Sequence, residues 1–143
     1  MTPKERAKDQ RLRKLYRWTL EMYNRLGEIQ GWRCAACGRS AKNMPLNLDH
    51  HHFKIEAHRS EEGNWYAFTR TNGIYVDAIA RTKTEAVGVV RERALPLSVR
   101  GLLCPGRYAG CNRKLGRIDD PKWLRSVLSY LENPPAKQVF SGE

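Results

Sequence analysis

The placement of four cysteines constrains this chain's fold more than any other feature. Cys34 and Cys37 form C-A-A-C, and Cys104 and Cys111 bound C-P-G-R-Y-A-G-C. Two separated thiolate pairs can close a tetrahedral zinc site, which staples distant parts of a small chain together. Between the pairs lies L-N-L-D-H-H-H-F, with Asp49, His50, His51 and His52, and Asn112 directly follows the last cysteine. A metal held by all four thiolates would fasten a strand carrying Asp-His to a helix start carrying Asn.

A length of 143 residues suits one domain, or one small domain with an elaboration. No apolar run approaches the roughly 18 residues needed to span a bilayer, and Met1 is followed by T-P-K-E-R-A-K rather than a secretory leader. The expectation is a cytoplasmic protein without a membrane partner. In that compartment paired cysteines are more often metal ligands than disulfides. Lys and Arg number 26 against 15 Asp and Glu, a net charge of +11. That excess suits a polyanionic partner, nucleic acid first.

Residues 4–30 read as one long helix, because Leu12, Leu15, Tyr16, Thr19, Met22, Tyr23, Leu26 and Ile29 recur at three- and four-residue steps. Its N-terminal portion is basic, so residues 1–31 form a basic amphipathic helix able to meet phosphates or a second copy of itself. Gly31-Trp32 ends it. Leu46, Leu48 and Asp49 form a short strand, and V-R-G-L-L-C forms a second one entering the later cysteine pair. Between them, residues 56–96 change in texture: aromatic and β-branched runs flank Asn72-Gly73, a hairpin signal. A helix capped by Thr82 or Thr84 follows, and Pro96 stops it. This β-β-α insertion divides a core made of residues 32–55 and 97–133. A helix begins at or near Asn112, and Asp119-Asp120-Pro121 announces another, with Trp123, Leu124, Val127, Leu128 and Leu131 on one face. Pro134-Pro135 ends it, leaving residues 134–143 as a tail.

Several of these residues suit phosphodiester hydrolysis. Asp49 offers a hard anionic oxygen to a divalent cation, and Asn112 offers a neutral amide oxygen. A histidine's ordinary pKa of roughly 6.5 leaves much of it neutral and able to take a proton from water, which makes His50 a candidate base. On an extended chain His50 points away from Asp49 unless the strand ends or twists there. His52 shares the parity of His50 and could assist, whereas His51 points away. Asn112 also suits the N-cap of its helix. Arg100, Arg113 and Lys114 flank the site as candidate phosphate contacts.

The ordered blocks C-A-A-C-G, L-D-H-H-H, V-R-G-L-L-C, C-N-R-K-L-G and D-D-P-K-W-L resemble the phage recombination endonuclease VII family, of the His-Asn-His or ββα-metal nucleases. The likeness runs from Tyr16 to Leu131, apart from the insertion. It implies an α+β fold with a zinc-stapled ββα-metal core, a long N-terminal helix and a C-terminal helix. It also implies structural zinc on Cys34, Cys37, Cys104 and Cys111, catalytic Mg²⁺ or Mn²⁺ on Asp49 and Asn112, and His50 as general base. Members resolve branched DNA, notably Holliday junctions, as intertwined dimers, so DNA and a second copy are the implied partners. A phage origin would place the protein in the bacterial host cytoplasm.

Two features depart from the family pattern. Six residues separate Cys104 from Cys111 where the family usually has two, and Pro105, Gly106 and Gly110 could loop the extra residues out. The insertion is the other, similar to small β-sheet-plus-helix DNA-binding modules of some phage integrases and endonucleases. Competing uses of the same core are site-specific nicking, a packaging or homing role, or a catalytically silent zinc module that binds DNA or a protein.

Overall fold

The computed structural model describes residues 1–42, 45–105, 110–116 and 120–132, the side chains of Trp123 and Leu131 excepted. Two helices, not one, occupy the N-terminal stretch: α1 spans Pro3–Tyr16 and α2 spans Leu20–Ile29. The break falls at Arg17, whose φ of 58° is left-handed and costly for a residue with a Cβ. Its guanidinium offsets that cost. Nη1 donates to the carbonyls of Arg13 and Lys14, and Nε and Nη2 donate to Glu92 at 2.5 and 2.6 Å. Thr19, which the apolar stripe counts as an inward residue, is the N-cap of α2 and accepts from the Met22 N–H at 3.1 Å. Asp9 of α1 takes the Leu20 N–H at 2.7 Å.

Beyond α2 come β1 (Asn47–His50), β2 (Glu56–Arg59), β3 (Trp65–Thr71), β4 (Ile74–Ala80), α3 (Lys83–Leu97), β5 (Val99–Leu103), α4 (Cys111–Leu115) and α5 (Pro121–Glu132). Mixed helix and sheet make this an α+β chain. β1 and β5 pair antiparallel as a two-stranded ribbon, with Asn47 opposite Leu103 and Asp49 opposite Gly101. The register then shifts, so that His50 faces Val99 and Arg100 is left as the extra residue of a β-bulge.

The insertion has three strands, one more than the hairpin signal announces. β2, β3 and β4 form a separate antiparallel sheet in that order. β2 reads E-A-H-R, and its single apolar residue gives no alternation to detect. Asn72 and Gly73 make the turn with φ of 48° and 80°, as a two-residue hairpin requires. Thr82 caps α3 in a reciprocal box with Glu85. Pro96 does not stop that helix. It sits in the last turn, the helix runs to Leu97, and Ser98 closes it by donating from N and Oγ to the Leu95 carbonyl.

Two apolar clusters result. Leu12, Leu20, Tyr23, Leu46, Leu48, Leu102 and Leu103 pack with Cys34 and Cys104 beneath the ribbon. Ala67 and Val76 of the sheet meet Ala86, Val90 and Ala94 of α3. The Trp18 indole donates to the Pro96 carbonyl at 2.9 Å, and Asn72 donates to the Leu97 and Val99 carbonyls, tying the two halves together. Asp120 caps α5, accepting from the Lys122 N–H at 2.8 Å. Asp119, the Pro134-Pro135 stop and the 134–143 tail lie outside the described residues.

Candidate active site

The two cysteine pairs meet. Their four Sγ atoms lie within 4.8 Å of one another, with Cys37 and Cys104 at 4.0 Å. Four Zn–S bonds of about 2.3 Å in a tetrahedron need sulfurs about 3.8 Å apart, so the group fits such an ion. Local backbone builds it. The Cys34 N–H donates to Arg39 O and the Gly38 N–H to Cys34 O, both at 2.9 Å, folding C-A-A-C-G-R into a knuckle with Gly38 at φ 71°. The Ala35 N–H reaches Leu102 O at 3.0 Å, and the Gln30 side chain accepts from the Leu102 N–H and donates to its carbonyl, locking the knuckle to β5. Gly106 and the rest of 106–109 lie outside the described residues.

The cluster's electrostatics call for a cation. Burial would raise the Cys34 thiol, yet backbone N–H groups of Cys104, Cys37 and Ala36 outweigh it and hold the thiol at about 6. Burial, then hydrogen bonds among the neighbouring thiols and the Cys34 charge, push Cys111 up to about 12. One thiolate is prepared, and four cannot coexist without a positive charge among them.

Asp49 is 7% exposed on β1. Both of its oxygens are taken by Arg100, from Nε to Oδ2 at 2.8 Å and from Nη2 to Oδ1 at 3.0 Å. Arg100, expected to face phosphates, is thus turned inward onto the carboxylate by the bulge. His50 is half-buried at the end of β1, with the Tyr16 ring at 5.2 Å and the His52 ring edge-on at 4.6 Å. His52 is exposed. His51 points elsewhere, towards the insertion, where its Nδ1 meets the Thr71 hydroxyl at 3.1 Å and its N–H donates to Ser98 O.

Asn112 is the second residue of α4 rather than its cap, a position Gly110 takes at φ 71°. Its N–H donates to Cys104 O at 3.1 Å. That carbonyl lies one residue beyond the Asn47–Leu103 rung, and Asp49 lies two rungs to the other side of it, so three residues, roughly 10 Å, separate them along the ribbon. No hydrogen bond joins Asp49 to Asn112. Asn112 instead lines a cleft of about 280 Å³ with Lys8, Arg11, Tyr16, Tyr23 and Asn47. Tyr16 therefore borders both parts, lining the cleft along with Asn112 and setting its ring beside His50. Sequence reading placed Tyr16 in a core stripe and gave no sign of this link. Arg113 and Lys114 are exposed on α4.

A family model described as recombination endonuclease VII matches residues 9–133. No curated protein and no solved structure matches the chain.

Proposed function

The chain belongs to the recombination endonuclease VII family, and from that membership we propose that it is a metal-dependent DNA endonuclease of the His-Asn-His type, acting on branched DNA such as Holliday junctions. One observation carries the reading. Asp49, His50 and Asn112 stand on a single ribbon-and-helix unit that the four-thiol cluster holds together.

Asp49 and Asn112 are the oxygen donors for Mg²⁺ or Mn²⁺, a hard-cation set. Asp49 sits where positive charge is demanded, as its two bonds to Arg100 attest. The bound ion would neutralise charge on the scissile phosphate and the leaving oxygen. His50 accepts the proton of the attacking water, and the rings of Tyr16 and His52 fix the plane of its imidazole. His52 is placed to assist at the same spot. Arg113 and Lys114 hold flanking phosphates, and Arg100 joins them when it leaves Asp49. Structural zinc occupies Cys34, Cys37, Cys104 and Cys111. The active form is a homodimer, consistent with the exposed apolar residues Leu124 and Leu128 of α5.

The test is Mg²⁺-dependent cleavage of a labelled four-way junction beside a linear duplex. His50→Ala should cut about 10²- to 10⁴-fold more slowly, and Asp49→Asn and Asn112→Ala should bind the junction without cutting it. Equal cutting by wild type and His50→Ala would remove His50 from the mechanism. Preferential cutting of one linear sequence would move the substrate from junctions to a specific site.

A further inference from the structure

Apart from Asn112 and Tyr16, the polar residues lining the cleft have no part in the hydrolytic chemistry. Its polar lining comprises two cations, Lys8 and Arg11, two amides, Asn47 and Asn112, and two phenols, Tyr16 and Tyr23, with no carboxylate among them. Such a lining attracts an anion, and with the Tyr23 hydroxyl already donating to Leu46 O at 2.7 Å, the cations, the amides and Tyr16 are the donors it offers.

The two cations differ from others on the same helix. Arg13 is bound by Asp9 at 2.6 Å and Arg17 by Glu92, so those charges are answered within the fold. Lys8 and Arg11 have no carboxylate partner among the described residues. Lys8 is instead held with its Nζ 3.4 Å above the Tyr23 ring, a contact that orients an ammonium without neutralising it. Burial, then the nearby charge of Lys4, lowers its pKa, as expected of an ammonium kept without a counter-ion. Lys4, Lys8 and Arg11 follow one another at helical spacing on α1. They span about 10 Å, enough to meet successive phosphates of a DNA strand.

We propose that this cleft is a phosphate-binding channel for one DNA strand, with Lys8 and Arg11 as its contacts and Asn112 at its inner end. Resting on the nuclease reading, it supplies the strand path: the backbone enters along α1, passes between α1 and α4 and reaches Asn112, with Tyr16 lining the cleft beside His50. Lys4 extends the track outward. Because phosphates alone are touched, the channel is indifferent to base sequence.

The test reads binding without cleavage. Anisotropy of a labelled four-way junction is followed in magnesium-free buffer for wild type, Lys8→Met, Arg11→Ala and Arg13→Ala. Lys8→Met keeps the packing against Tyr23 while removing the charge. Lys8→Met and Arg11→Ala should each weaken binding about three- to tenfold and reduce the salt slope by about one phosphate. Arg13→Ala, which removes a neutralised charge from the same helix, should change affinity less than about twofold. Unchanged affinity in the first two, or an equal loss in all three, would overturn the channel. A protein that binds through Lys8 and Arg11 yet never cuts would sink the nuclease reading and leave this one standing.

Discussion

Asp49 and Arg100 form the most consequential pair of side chains in the chain. The carboxylate is almost fully buried while the guanidinium is a quarter exposed. Losing Arg100 therefore leaves a buried charge unanswered, the costly way to break such a pair. Arg100→Ala should lower stability by about 2–4 kcal/mol in magnesium-free buffer, read as a shift in the denaturant midpoint. Added Mg²⁺ should recover part of it, but not in Arg100→Ala combined with Asp49→Asn. If Arg100→Ala melts like wild type, Asp49 has another partner. Type and order single out Asp49, His50 and Asn112 as candidates in the sequence. Their wiring is not legible there. Arg100 turns inward because a bulge displaces it, and no pattern in V-R-G-L-L-C marks that bulge.

Helices and strands were legible where local chemistry spoke plainly. Asn72-Gly73, the Thr82–Glu85 box and Pro121 after an acid each lie at the element boundary they signalled. The N-terminal break was hidden because neither glycine nor proline marks it. It depends on Arg17 reaching Glu92, a contact 75 residues away that no local window contains. β2 was hidden because it is held by its neighbour's backbone rather than by its own alternation. Two substitutions test the elements. Gly27→Ala would put a Cβ 2.5 Å from the Trp32 ring, and should cost about 1–3 kcal/mol through forced repacking. Thr82→Ala should cost about 1 kcal/mol by removing the cap of α3. A thermal melt of each variant decides; a wild-type midpoint for Gly27→Ala would mean that Trp32 moves aside freely.

The two apolar clusters are joined by polar contacts, and the thiol group closes the half that carries Asp49, His50 and Asn112. Cys37→Ser should therefore loosen the whole ribbon rather than a local turn. It should abolish stoichiometric zinc and lower stability by roughly several kcal/mol, since metal affinity is folding free energy. Metal analysis paired with the melt checks this, and a zinc-free protein as stable as wild type would contradict it. That the pairs converge was foreseeable from their spacing. That α1 walls the cleft at Asn112 was not, because packing of distant helices leaves no trace in either one's sequence.

The ribbon's two strands are far apart in the order of synthesis. Cys104 leaves the ribosome 70 residues after Cys34, a delay of roughly 4–14 s at about 5–20 residues per second. The inserted sheet and α3 are complete before β5 emerges, and Ser98 lies beside His51. The module thus spans the gap between the two strands, so that the loop closed by the paired thiols is filled by a folded unit rather than by open chain.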